Sequence, residues 1–276
     1  MIARRESRGL ECVVVDLNTQ RDFCESGGAH PVSNLDTLLP ALRRVVAWAK
    51  RNHAPVISSL DSHRQWEVTG DGYPAHCIDG SLGQRKLDFT IFPCRIRVEA
   101  DNTLAVPNDL FRYYQQVIFP KRTDDLLSNP KADRLLTQLC ASEFVLFGTG
   151  VENAVKALAL GLIARGKVVT IVADACGYWS GALAELALRQ LVAKGATVIS
   201  VDELMHRKLS RRQRYPSSVV RLNGHVHRNG KGHSPGTNGK SKNGHLPRLS
   251  PANVDARITS SEEEVEGIPG PGDPGI

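Results

Sequence analysis

The sequence predicts an α/β fold: a doubly wound, mostly parallel six-stranded sheet with helices on both faces, followed by a disordered C-terminal tail. Between residues 10 and 200, short β-branched runs alternate with segments of helical length, which is typical of a sheet wrapped by crossover helices. After residue 208 the chain is rich in glycine and proline and nearly lacks aromatic residues. Such a segment cannot bury a core. We therefore assign residues 1–208 to one α/β domain and residues 209–276 to a disordered tail.

Strands are predicted where short apolar runs stand alone, at residues 12–16, 55–60, 116–119, 144–148, 168–173 and 197–201. Helices are predicted from the longer periodic segments between them, at residues 35–51, 131–140, 152–165 and 182–194. Most of these helices end near a glycine or asparagine that can adopt a left-handed cap. The connection from residue 61 to residue 109 is too long for a simple turn and indicates a functional insertion.

Charge and composition exclude several classes of protein. The net charge of +6 comes from residues 206–276, which hold twelve basic and six acidic side chains. The folded part is therefore neutral, which argues against nucleic-acid binding. The chain has no apolar run that could span a membrane, and its first residues lack the apolar core of a secretory signal. The six cysteines show no C-x-x-C spacing. We expect a cytoplasmic protein with reduced thiols.

Ionisable residues follow several predicted strands at the edge where parallel sheets bind ligands. Asp16 and Lys121 come at or just after the first and third strands, and Asp61 and His63 follow the second. His76 lies in the insertion. The one carboxylate and two imidazoles of Asp61, His63 and His76 suit Zn²⁺, Fe²⁺ or Mn²⁺ and leave coordination positions open. The sequence therefore predicts a divalent-metal site.

Five segments together carry a resemblance to a known family. They are Asp16 with the Asp22-Phe23 pair, Asp61-Ser62-His63, the loop 73–83, Lys121, and the turn 148–155. Over residues 10–204 this pattern resembles the isochorismatase-like cysteine hydrolases and, within them, the nicotinamidases. Two extra residues separate Asp16 from Asp22 when compared with the family pattern.

The resemblance implies a role for each matched position. In the family, an aspartate takes a proton from a cysteine thiol, a lysine favours the thiolate, and the thiolate attacks an amide. Asp16 and Lys121 correspond to the aspartate and the lysine, whereas the nucleophile position holds Ala154. The resemblance also implies an oxyanion hole made of the backbone N–H groups of Gly150 and Ala154, with a cis peptide bond between Thr149 and Gly150.

The same resemblance suggests what the protein binds. Phe23 and Tyr73 match positions that hold a pyridine ring, with the ring nitrogen reaching the metal. A small amide or related molecule is therefore the expected ligand. Members of the family usually assemble as dimers or tetramers, which implies a homo-oligomer.

Two functions remain open at this stage, because the methyl group of Ala154 cannot attack a carbonyl. One is a hydrolase with a changed mechanism, in which a metal-bound water attacks, Asp16 is the general base and Lys121 stabilises charge. The other is a non-catalytic binding or regulatory protein that keeps the metal and the pocket. Other cysteines are poor replacements for the missing thiol, since none lies at the helix N-terminus that would favour a thiolate.

Overall fold

A computed structural model of the protein describes residues 10–67, 73–99, 104–106 and 109–210. Within these residues lie seven strands: β1 Val13–Leu17, β2 Val56–Asp61, β3 Arg95–Arg97, β4 Gln116–Lys121, β5 Phe144–Thr149, β6 Val169–Gly177 and β7 Thr197–Ile199. They form one parallel sheet in the order β3-β4-β2-β1-β5-β6-β7. The predicted fold class is confirmed. The tail predicted from residue 209 lies, beyond residue 210, outside the described residues.

The predicted number of strands, six, is wrong because β3 was missed. This strand lies inside the insertion between β2 and β4, and it pairs with β4 at the edge of the sheet. It has only three residues, and its two arginines are exposed. A strand this short has no run of β-branched residues that a pattern could detect.

The helices are α1 Arg21–Cys24, α2 Leu35–Arg51, α3 Leu110–Tyr113, α4 Pro130–Gln138, α5 Lys156–Ala164, α6 Gly181–Ala193 and α7 Val201–His206, and a π-helical turn, Val151–Val155, leads directly into α5. The four predicted helices correspond to α2, α4, the π-turn with α5, and α6. The three missed helices have four to six residues. No described helix is long and apolar enough to cross a membrane.

The core has two layers, one on each face of the sheet. Val13 and Val15 of β1 pack in the layer that includes α4, α5 and α6. Val14 faces the other layer, with α2 and α7. β1 lies between β2 and β5. After β1 the chain first builds one side of the sheet, with β2, β4 and β3, and then the other side, with β5, β6 and β7. This reversal opens a crevice at the carboxyl ends of the central strands, where ligands bind in open α/β sheets.

Gly148, near the end of β5, shows why this edge of the sheet is tightly specified. Its φ is +127°, and a Cβ atom added to it would lie 1.9 Å from the carbonyl oxygen of Leu17 in β1. Only glycine fits such a position. The pairing of β5 with β6 also shifts register between Leu146 and Gly148. The close approach of β1 and β5 places the residues that follow each strand side by side.

Candidate functional site

The three predicted metal ligands come together at the end of β2. Asp61, His63 and His76 are all buried, and their ligand atoms lie within 4.8 Å of one another. Nε2 of His63 is 3.3 Å from Oδ2 of Asp61, and Nε2 of His76 is 3.6 Å from the same oxygen. One carboxylate oxygen and two imidazole nitrogens therefore converge on one point.

Two local features hold these side chains in place. Gln20 clamps the backbone of Asp61, whose N–H donates to Oε1 at 2.7 Å and whose carbonyl accepts from Nε2 at 2.8 Å. The insertion returns beside β2 as a short parallel bridge in which the N–H of His63 donates to the carbonyl of Cys77. This bridge places His76, one residue before Cys77, next to His63.

The charges around Asp61 favour its ionised form. Burial by itself raises the pKa of this carboxyl, but Lys121 and the hydrogen bonds from His63 and His76 outweigh burial, and the pKa lies well below its usual range. Nζ of Lys121 is 3.0 Å from Oδ1 of Asp61, and it also donates to the carbonyl of Thr123. Lys121 thus neutralises one oxygen of Asp61, while the other faces the two imidazoles.

The donor set fits a divalent transition ion. Nδ1 of His76 is 2.8 Å from the carbonyl of Pro74, which fixes the ring and leaves Nε2 directed toward Asp61. Such an outer hydrogen bond orients a histidine ligand and raises its basicity. A carboxylate with two neutral imidazoles suits Zn²⁺, Fe²⁺ or Mn²⁺ and leaves positions for a ligand or water.

Removing either imidazole should abolish metal binding. We expect the wild-type protein to hold about one divalent ion per chain after dialysis, and His63→Ala and His76→Ala to hold close to none, since each loses one of three ligands. His30→Ala is the matched control, because His30 lies in the same pocket but outside the triad. Metal analysis of the dialysed proteins measures the effect. Equal metal content in all four proteins would show that the ion binds elsewhere.

A pocket of about 400 Å³ opens above the triad. Its aromatic wall consists of Phe23, His30, Tyr73 and Trp179. The ring of His30 stacks on Trp179 with centroids 4.6 Å apart and an angle of 7° between the planes. Phe23 meets Trp179 edge-on at 5.6 Å and lies 5.1 Å from His76. The predicted binding residues Phe23 and Tyr73 thus reach one pocket, and its volume suits a small molecule.

His30 and Trp179 were not predicted as site residues. His30 lies in the loop between α1 and α2, and its burial, together with the nearby His76, lowers the pKa of the imidazole. It therefore lines the pocket as a neutral ring. Trp179 follows β6 and is held by Glu152, whose Oε1 accepts the backbone N–H groups of Trp179 and Ser180. Neither residue belongs to a spaced motif, so the sequence offers no local signal for them.

Asp16 does not lie on the pocket, contrary to the sequence prediction. Its Oδ2 is 3.0 Å from Nζ of Lys86 and accepts a hydrogen bond from Ser58, and its Oδ1 accepts one from Thr19. Both Asp16 and Lys86 are almost fully buried. The side chain of Asp16 faces the α2 layer, because residues of a strand alternate between faces and Val14 faces that layer. The carboxylate is thus committed to a buried ion pair.

Asn18 occupies the pocket wall that was predicted for Asp16. It has a left-handed backbone with φ of +50°, which turns the chain at the end of β1. Its carbonyl accepts a hydrogen bond from Thr149, so the turn is tied to the end of β5. The two extra residues between Asp16 and Asp22 could have indicated this, because the family spacing, counted back from Asp22, leads to Asn18 rather than to Asp16. An amide replaces the carboxylate at this position.

Ala154 lines the pocket at the expected nucleophile position, in the π-helical turn that leads into α5. The predicted oxyanion hole is only partly formed. The N–H of Gly150 donates to the carbonyl of Gly177 at 2.9 Å and is therefore occupied. The peptide bond between Thr149 and Gly150 is trans, as are the others in the described ranges, so the expected cis bond is wrong. Lys121 contacts Asp61 and does not line this pocket.

The buried cysteines cannot replace the missing thiol. Burial raises the pKa of Cys24 and of Cys176 to about 12, and burial together with Asp61 and Asp22 places the pKa of Cys77 higher still. None of the three lines the pocket. A thiol with a pKa near 12 is only roughly one part in ten thousand thiolate at pH 8.

We expect this difference in pKa to appear as selective alkylation. In the native protein at pH 8, iodoacetamide should label the exposed Cys140 while leaving Cys24, Cys77 and Cys176 unmodified until denaturant is added. Peptide mass spectrometry reads out each site. Rapid labelling of Cys77 or Cys176 in the folded protein would reveal a reactive thiol and would reopen covalent catalysis.

Comparison with known proteins identifies the family of this chain. The sequence profile of the isochorismatase domain matches residues 12–203, which is more than half of the chain. The chain belongs to the isochorismatase family. A search of curated protein sequences gave no match.

Several solved structures share the fold. The pyrazinamidase of Pyrococcus horikoshii in complex with zinc is 20% identical with a TM-score of 0.55, covering 69% of this chain and 99% of that one. A nicotinamidase/pyrazinamidase from Bacillus subtilis is 15% identical with a TM-score of 0.57, covering 69% and 100%. A protein from L. infantum in complex with nicotinate is 16% identical with a TM-score of 0.56, covering 70% and 94%.

Proposed function

We propose that this isochorismatase-family protein binds small, planar, nitrogen-containing aromatic molecules at a divalent metal without hydrolysing them. The observation that carries the proposal is that the pocket wall above the triad contains both Ala154 and Asn18. An alanine cannot form an acyl-enzyme, and an asparagine amide cannot accept a proton from a nucleophile. The pocket and the metal ligands remain while both reacting groups are replaced.

The remaining residues have roles in binding. Asp61, His63 and His76 would hold the ion, which would offer a Lewis-acidic position to a ring nitrogen. Phe23 and Trp179 give the ligand apolar faces to pack against. That the solved neighbours include pyrazinamidases and nicotinamidases, one of them with zinc and one with nicotinate, supports a ligand of this class.

Hydrolysis by a metal-bound water lacks the general base that the sequence predicts for it. Asp16 is committed to a buried ion pair with Lys86 and does not line the pocket. Glu67 lines the pocket, but it accepts a hydrogen bond from the backbone of Arg64 and pairs with Arg122, and these contacts lower its pKa. A carboxylate with a lowered pKa is a weaker base.

Calorimetry on the metal-loaded protein tests the proposal. Nicotinamide, pyrazinamide and nicotinate are the probes, and benzamide, which lacks a ring nitrogen, is the control ligand. We expect at least one nitrogen-containing probe to bind at least tenfold more tightly than benzamide, and only when the metal is present. Trp179→Ala should weaken this binding about tenfold or more, since a stacked aromatic wall is worth roughly 1–3 kcal/mol.

The control variant is Trp66→Ala, because Trp66 is 76% exposed and does not line the pocket. It should bind like the wild type. The bound amides should be recovered unchanged after overnight incubation, as read by mass spectrometry. Conversion of an amide to its acid by the wild type, or equal binding of benzamide and the nitrogen-containing probes, would overturn the proposal.

A further inference from the structure

The side chain of Asn18 is locked in one orientation. Ser59 accepts the backbone N–H of Asn18 at 3.0 Å and donates its own hydroxyl hydrogen to Oδ1 of Asn18 at 2.6 Å. The hydroxyl donates its single hydrogen to Oδ1, so the amide oxygen is the end of the side chain that Ser59 holds. The amide nitrogen, Nδ2, therefore points away from Ser59.

Nδ2 of Asn18 has no hydrogen-bond partner among the described residues, although Asn18 is only 3% exposed. Nδ2 keeps some solvent-accessible surface, since it is not one of the described polar atoms that are sealed from solvent and unpartnered. Asn18 lines the pocket above the triad, so this surface is available to a ligand there. The wall offers a neutral donor with no acceptor of its own.

The start of the adjoining helix adds to this donor surface. The carbonyl of Gly150 accepts hydrogen bonds from the N–H groups of Asn153 and Val155. The N–H of Ala154, which lies between them in the chain, does not bond to this carbonyl. The π-turn and α5 run together from Val151 to Ala164, and their N-terminus carries the positive end of the helix dipole. The pocket wall at Asn18 and Ala154 is therefore built from hydrogen-bond donors.

We propose that this wall selects a carboxylate, and that the ligand is an aromatic nitrogen-heterocycle carboxylic acid rather than its carboxamide. A carboxylate offers only acceptors to Nδ2 of Asn18 and to the helix N-terminus, whereas a carboxamide must also place an NH₂ group against this wall. An aspartate at position 18 would repel the acid. The inference rests on the proposed function, since it concerns the same pocket.

The charges of Asp61 and Glu67 do not oppose this choice at the wall. Asp61 is balanced by Lys121 at 3.0 Å, and Glu67 pairs with Arg122 beside His63. These two carboxylates thus have cationic partners, and a bound divalent ion would add positive charge. The carboxylate of a bound ligand would exchange its water for hydrogen-bond donors rather than for other carboxylates.

Titration calorimetry with pyridine-3-carboxylate and pyridine-3-carboxamide on the zinc-loaded full-length protein tests the inference. The wild type should bind the acid at least tenfold more tightly than the amide, because a hydrogen bond to a charged acceptor is stronger than one to a neutral acceptor. Asn18→Asp should weaken acid binding at least tenfold and leave amide binding equal or stronger. Aspartate tolerates the left-handed backbone at this position.

A second variant tests the orientation of the Asn18 amide without changing the charge of the pocket. Ser59→Ala removes the hydroxyl that fixes the amide of Asn18, so the side chain can turn and present its oxygen, and the preference for the acid should shrink severalfold. Ser142→Ala is the control, because Ser142 is exposed and precedes β5 at the opposite end of the sheet. It should keep the wild-type preference.

The outcomes separate this inference from the proposed function. Equal or tighter binding of the amide by the wild type would overturn the carboxylate assignment while leaving non-hydrolytic binding intact. An unchanged preference in both Asn18→Asp and Ser59→Ala would remove Asn18 as the selecting residue and would also overturn it. Failure of both ligands to bind would refute the proposed function and this inference with it.

Discussion

Asp16→Ala should lower the free energy of unfolding by about 3–5 kcal/mol while leaving metal and ligand binding close to those of the wild type. The variant leaves Nζ of Lys86 buried without its carboxylate, and an uncompensated buried charge carries this penalty. Ser58 and Thr19 would also lose their acceptor. Urea unfolding measures the stability, and metal analysis with ligand titration measures the site.

Two further variants separate the ion pair from other effects. Asp16→Ala combined with Lys86→Met should recover much of the lost stability, because the charge that needed compensation is gone. Asp202→Ala breaks an exposed pair with Arg44 and should leave the unfolding midpoint almost unchanged. A stable Asp16→Ala protein that has lost ligand binding would instead make Asp16 part of the site.

Ala154→Cys alone should not create an efficient amidase, whereas Ala154→Cys with Asn18→Asp should gain measurable turnover. The single variant has a thiol at the helix N-terminus but no carboxylate on the wall to take its proton, since Asp16 is occupied by Lys86. A positioned base typically contributes about 10²–10⁴-fold to the rate. Ammonia release from nicotinamide and intact-protein mass, for the acyl-enzyme, measure the gain.

The matched control pairs Ala154→Cys with Asn153→Asp. Asn153 also lines the pocket, so the control adds the same charge at a different position. It should remain near the rate of the single variant. If Ala154→Cys alone turned over as fast as the double variant, Asn18 would not occupy the position of the proton acceptor.

Much of the site could be predicted because it depends on short segments at strand ends. Asp61 ends β2 and His63 comes two residues later, and the loop with His76 has enough fixed spacing to be recognised, so the sequence predicts the triad. The core strands were predicted because their buried runs are almost entirely apolar. Edge strand β3 had no such run.

The errors at Asp16 and His30 have different physical causes. The sequence predicts that an acid at the end of an apolar strand faces the crevice, but the alternation of side chains turns Asp16 toward Lys86, and the turn at Asn18 reaches the pocket instead. The position of His30 depends on the loop that contains it. The carboxylate of Asp22 fixes this loop by accepting hydrogen bonds from the N–H groups of Ala29 and Cys77. Such a tertiary contact leaves no periodic signal in the sequence.

The fate of an amide in the pocket of the wild-type protein distinguishes binding from hydrolysis. Zinc-loaded protein is incubated with nicotinamide, and ammonia release and intact-protein mass are followed over the same interval. We expect no ammonia above the protein-free blank and no mass increase on the protein, while calorimetry on the same sample detects a bound heterocycle. Metal-dependent release of ammonia, or an acyl adduct on any cysteine, would refute binding without hydrolysis.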